Sequence, residues 1–163
     1  MPQTSFASTY TTAFEGMLAD SFESDIVSKA NGEASANLYF GRGYRDNGTG
    51  GVINFSAAAQ VLLGVSVFEQ KDSSRLAVAG EAFAPKEMMN ILRKGRIWVK
   101  AEQAVALNSP VFVRHTANGG TTAPGRFRID IDTANATAVT GARWVTTTSA
   151  PDQLACLELN LPA

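Results

Sequence analysis

Arg126-Phe127-Arg128-Ile129-Asp130-Ile131 switches between charged and apolar residues at every step. Period-two alternation marks a half-buried β-strand, because successive side chains point to opposite faces. The stretch predicts a strand with Phe127, Ile129 and Ile131 on the core and Arg126, Arg128 and Asp130 in solvent. Leu157, Leu159 and Leu161 repeat the pattern near the end of the chain. Phe127, Ile129, Ile131, Leu157 and Leu159 are therefore expected to face one core.

The flanking sequence reads the same way. Residues 35–40 and 61–68 are candidate strands. Residues 88–92 and 96–100 flank Arg93-Lys94-Gly95, which predicts a tight hairpin connection. Residues 111–115 follow Asn108-Ser109-Pro110, a turn signal placing proline just ahead of a strand. Arg45-Asp46-Asn47-Gly48-Thr49-Gly50-Gly51 and Asn118-Gly119-Gly120-Thr121 read as connecting turns. Short strands between turn residues predict an all-β fold: a single β-sandwich or jelly-roll-like domain over 35–163. Residues 1–34 differ. Phe14, Met17, Leu18, Phe22 and Ile26 recur at spacings of three and four, which allows a short helix. Gly16 weakens it, so the segment reads as an arm, peripheral to the core, with at most short helical turns.

The chain has 163 residues, 45% of them apolar, enough for one domain with a real core. Only 18% are charged, and 14 Thr with 12 Ser supply much of the remaining polarity. Such a surface suits a protein that packs against other protein. A net charge of −1 argues against a dedicated nucleic-acid binder. The longest apolar run, 57–68, is too short and too interrupted to span a bilayer. The first residues lack the basic and apolar regions of a secretory leader, so an intracellularly made protein is expected.

Candidate chemistry is sparse. Cys156 is the lone cysteine and His115 the lone histidine, which excludes an internal disulfide and most zinc sites. His115 is the one general acid/base candidate, yet no nucleophile elbow surrounds any serine. The simplest reading is a solvated or interface histidine at a strand end. Cys156 sits in an apolar strand and reads as a buried inert thiol. Asp130 and Asp132 have the spacing to hold a hard cation, but Arg128 beside them offers simple pairing. No catalytic residue, cofactor or metal is assigned.

Charge segregation is the informative feature. Residues 13–33 carry Glu15, Asp20, Glu23, Asp25 and Glu33 against Lys29, whereas 86–100 carry Lys86, Arg93, Lys94, Arg96 and Lys100 against Glu87. The two segments can pair within a subunit or between neighbours. Arg96, Trp98 and Lys100 share one strand face, opposite Ile97 and Val99. An aromatic among bases can stack nucleobases, but Trp and Arg are also enriched at protein interfaces, and the overall charge favours protein. The expected interface residues are Phe6, Phe14, Met17 and Leu18 from the arm, with Arg93, Lys94, Arg96 and Trp98.

Phe14-Glu15-Gly16-Met17-Leu18-Ala19-Asp20-Ser21, Asn90 through Val99, Pro110-Val111-Phe112-Val113-Arg114-His115-Thr116, Asp132-Thr133-Ala134-Asn135-Ala136-Thr137 and Gly141-Ala142-Arg143-Trp144 form an ordered set along the chain. With the Leu-rich last strand, this set resembles the capsid cement (head decoration) proteins of tailed bacteriophages. The resemblance implies a non-enzymatic virion protein on the outer surface of the capsid. Its partners would be the major capsid protein and itself, as a homodimer in preference to a trimer, with no nucleic acid and no membrane. Other readings are a tail or receptor-contacting virion protein, or a small β-fold hydrolase using His115.

Overall fold

The computed structural model describes residues 13–20, 23–69, 82–119 and 122–162. Phe6 and Phe22 lie outside the described residues. Twelve strands follow in order: β1 Asp25–Asn31, β2 Leu38–Tyr39, β3 Gly43–Asp46, β4 Gly51–Ile53, β5 Gly64–Ser66, β6 Ala82–Phe83, β7 Met88–Lys100, β8 Phe112–Arg114, β9 Phe127–Arg128, β10 Ala136–Ala138, β11 Ala142–Trp144 and β12 Leu154–Asn160. The fold is all-β, as the alternation predicts. No described residue is helical.

β7 organises the molecule. The hairpin expected at Arg93-Lys94-Gly95 is not formed: all 13 residues run as one strand. Glycine here serves a bulge instead of a turn. The register against β1 slips between Lys94 and Leu92, and Gly95 adopts φ 125°, a conformation that costs glycine little. The slip changes which face points inward. Met89 and Ile91 feed one core, whereas Leu92, Ile97 and Val99 feed the other.

The first core belongs to a ring. β1-β4-β3-β5-β7 are hydrogen-bonded in that order, and β1 also pairs with β7, closing five strands on themselves. Tyr44, Val52, Met89 and Ile91 from these strands pack with Leu38, Phe40 and Phe83. The β3–β4 connection is a turn, as expected. The Asp46 carboxylate accepts the Gly48 N–H, and the Asn47 side-chain carbonyl accepts those of Thr49 and Gly51. The second core is sandwich-like. β12 and β11 extend the sheet from β7, and the three-stranded sheet β10-β8-β9 contributes to the same core. Phe127, Val113, Trp144, Leu157 and Leu159 meet Ile97 and Val99 there.

Residues 13–20 and 23–31 are built into this scaffold and are not peripheral to it. Gly16 donates its N–H to the Trp98 carbonyl at 2.8 Å, Trp98 donates to Met17 at 2.9 Å and Ala19 donates to Arg96 at 2.9 Å. β1 then continues antiparallel along β7. Backbone pairing with β7 takes the place of the short helical turns that the spacing allows. Gly16 has φ 84°, and a Cβ there would lie 2.9 Å from that of Phe40, so the position requires glycine.

The founding alternation needs correcting at three residues. Phe127 is fully buried and Ile129 packs against the larger core, but Ile131 is 56% exposed. Arg126 and Arg128, expected in solvent, are buried. Carboxylates from other segments receive them: half-exposed Asp152 pairs with Arg126, and buried Glu102 with Arg128.

Candidate functional site

Opposite charges in the two segments identified from sequence meet within the chain. Lys100 lies 3.7 Å from Glu15, Arg96 3.6 Å from Asp20, Lys94 3.3 Å from Glu23 and Arg93 4.0 Å from Asp25. The antiparallel course of residues 15–20 and 23–25 along β7 produces this series. A second row crosses the sheet: Arg96 Nε donates to Glu158 at 2.7 Å, and Arg143 Nε donates to the other oxygen at 2.8 Å. The hydrogen bond from Arg96 foremost, and then Arg143 against an opposing effect of burial, holds the Glu158 carboxyl below the usual range. Pairs as exposed as these contribute little to stability. Their larger effect is to neutralise the basic stripe.

Lys94, Arg96 and Trp98 are brought to one face, with Ile97 and Val99 buried behind them as the strand alternation requires. Trp98 is half-buried, opposite Cys156 of β12. Lys94, Arg96, Asp20, Glu23 and Glu158 border a shallow cleft of about 330 Å³. The remaining expected contact residues are partly inside the fold. Phe14 meets Phe68 edge to face with centroids 4.4 Å apart, Leu18 packs on the larger core, and Arg93 donates to the Pro162 carbonyl at 2.6 Å. Met17 is half-buried beside Trp98.

His115 is not solvated: it is 5% exposed. Its Nδ1 lies 2.9 Å from the Thr116 hydroxyl, and its Nε2 is buried without a hydrogen-bond partner. Burial pushes the Cys156 thiol up to about 11, so at neutral pH it stays protonated and unreactive. Among the described residues no group of three His, Cys, Asp or Glu is placed to hold a metal, and no helix is long and apolar enough to cross a membrane.

The arrangement that sequence did not disclose is a buried ionic network. Arg114, 1% exposed at its side chain, donates from Nε to both oxygens of Glu102, at 2.7 and 2.8 Å, and from a terminal nitrogen to Asp132 at 2.6 Å. Arg128 reaches Glu102 at 3.1 Å, Asp130 at 2.6 Å and Asp132 at 2.9 Å. The Asp130–Arg128 pairing follows the sequence expectation; Glu102 and Arg114 enter from other segments. The network anchors a loop in which Asp132, Thr133 and Ala134 take φ of 45°, 52° and 69° in succession. Non-glycine residues hold that conformation only where their surroundings fix it. The network supports structure and presents no free ligand set.

A two-core, all-β domain whose charges are compensated internally has the character of a structural protein. Comparison with known proteins is specific on this point. Residues 2–160 match the family described as structural cement protein (E217 gp24/Pam3 gp6). The chain belongs to this family of phage capsid cement proteins. Its fold is similar to a chain in the solved structure described as the capsid of Myoviridae phage XM1, with a TM-score of 0.71 at 11% identity, covering 97% of this chain and 98% of that one. No curated protein matches.

Proposed function

We propose that this protein binds the outer surface of an assembled phage capsid and stabilises it by bridging neighbouring major capsid protein subunits. The observation that carries the reading is the internal neutralisation of the β7 stripe. Lys94, Arg96 and Lys100 each meet a carboxylate of their own chain, which leaves little free positive charge for phosphate. What remains is a sheet face with a half-buried tryptophan among mutually paired charges, a composition suited to protein. The contact centres on Lys94, Arg96 and Trp98, flanked by Met17 and Arg93. Phe14 and Leu18 hold the segment in place, and the arm around Phe6 adds contact. Many modest contacts around a closed shell add through avidity. Symmetry favours a homo-oligomer, a dimer first, at the seams.

Sedimentation with empty shells tests the surface. A buried aromatic anchor is worth about 2 kcal/mol or more, whereas an exposed charge is worth under about 1 kcal/mol. Trp98→Ala is expected to reduce occupancy well beyond Lys94→Ala, with the melting temperature of the free protein as control. Wild-type binding by folded Trp98→Ala would place the contact elsewhere.

A further inference from the structure

Asparagine followed by glycine occurs three times in the chain, at Asn31-Gly32, Asn47-Gly48 and Asn118-Gly119. The pair is chemically labile, because glycine has no Cβ to shield its backbone nitrogen from the neighbouring side-chain amide. The fold treats the three differently. Asn31 is 1% exposed, its amide donates to the carbonyls of Ala36 and Phe83, and the Gly32 N–H donates to the Val52 carbonyl at 2.8 Å. At the β3–β4 turn the Asp46 carboxylate accepts the Gly48 N–H at 2.6 Å, and the Asn47 side-chain carbonyl accepts two further N–H groups. Asn118 and Gly119 are both exposed. Thr122 Oγ1 accepts the Asn118 N–H and its hydroxyl donates to the Gly119 carbonyl, at 2.7 Å each. Among the described residues, the Gly119 N–H and the Asn118 side-chain carbonyl have no partner. The Asn118 side chain is held only through Nδ2, which donates to Asp132 Oδ2 at 3.3 Å.

We propose that Asn118-Gly119 is a self-modifying site, where asparagine converts to aspartate and isoaspartate and thereby loosens the buried ionic network. The Gly119 nitrogen attacks Asn118 Cγ. The N–Cγ bond forms, the Cγ–Nδ2 bond breaks, and ammonia leaves with the proton of the Gly119 N–H. Water then opens the cyclic imide, and no electrons are exchanged. Cleavage of N–Cγ gives aspartate. Cleavage between that nitrogen and the Asn118 backbone carbonyl carbon gives isoaspartate, with an extra carbon in the main chain. Either product removes the donor to Asp132 and adds a negative charge beside it. Asp132 already receives Arg114 at 2.6 Å and Arg128 at 2.9 Å. A second carboxylate competes for the same guanidinium groups and repels the first. A virion makes no new protein, so the change accumulates with the age of the particle.

The test incubates the full chain at mildly alkaline pH and follows tryptic peptides by mass spectrometry, with fragment ions assigning the residue. Lys and Arg positions put the three pairs on separate peptides, 30–42, 46–71 and 115–126. Each hydrogen bond that must open first lowers the reactive population about two- to tenfold. Asn118 is therefore expected to undergo the amide-to-acid exchange about tenfold or more faster than Asn47, with Asn31 slowest. In the chain unfolded by guanidinium the three rates should converge. Asn118→Gln, which cyclises poorly through a larger ring, should leave peptide 115–126 unchanged. Gly119→Ala should do the same; its Cβ meets nothing within 4 Å, although φ 72° costs alanine some strain. The converted protein and Asn118→Asp are expected to melt below wild type. Folded protein that converts Asn47 or Asn31 as fast as Asn118 overturns the site. Conversion of Asn118 with an unchanged melting temperature overturns its link to the network.

Discussion

Arg114→Ala is expected to cost about 3–5 kcal/mol of folding stability, because removing one partner strands the other's buried charge. The stranded group is Glu102, whose side chain is 4% exposed and receives two hydrogen bonds from Arg114. Arg128 remains within reach of it at 3.1 Å, which limits the loss without replacing the fork. Arg114→Met combined with Glu102→Met should recover much of the stability, since a buried pair exchanged for apolar volume is often neutral. Acid attacks the same network. Arg114's hydrogen bond foremost holds Asp132 below the usual carboxylate range, and Gln103 with Arg128 does so for Asp130. Groups with depressed folded-state pKa stabilise above their unfolded value, about 4, and that contribution is lost as pH falls through the folded value. The melting temperature should therefore drop below about pH 4, with a shallower dependence in Arg114→Ala. Equal melting temperatures for wild type and Arg114→Ala, measured by calorimetry across pH, would show the network to be dispensable.

Trp144→Ala is expected to cost about 3–5 kcal/mol, the range for emptying a buried aromatic site. Trp144 is 0% exposed in the larger core, on β11, the outer strand of the seven-stranded sheet. Its indole Nε1 is buried without a hydrogen-bond partner. Trp144→Phe therefore gives up volume but no hydrogen bond and removes an unpaired donor, so its loss should be clearly smaller. Chemical denaturation of the three proteins reads the difference. Equal losses for Ala and Phe would mean that the indole nitrogen is satisfied and matters more than the ring's volume.

The contrast between legible and hidden features follows from range. The all-β class was readable because alternation is local, and the pairing of the acidic and basic segments because each concentrates one sign of charge. Gly95 was misread as a turn because a positive-φ glycine serves turns and bulges alike, and only its pairing with β1 and β12 separates the two. Phe14, Met17 and Leu18 have helical spacing, yet the free edge of β7 gives their backbone a better partner. Arg126 and Arg128 were assigned to solvent because nothing near them in sequence announces Glu102 or Asp152, 26 residues away in each case. The residues expected at an interface divide: Lys94, Arg96 and Trp98 share an outward face, while Leu18 and Phe14 turn inward.

A cement protein must strengthen the shell it binds. The direct measurement heats DNA-filled heads lacking the protein, with and without purified protein added back, and follows DNA release by dye fluorescence. Bound protein is predicted to raise the release temperature, and Trp98→Ala to forfeit that gain in proportion to its lost occupancy. Full occupancy with an unchanged release temperature would contradict the account.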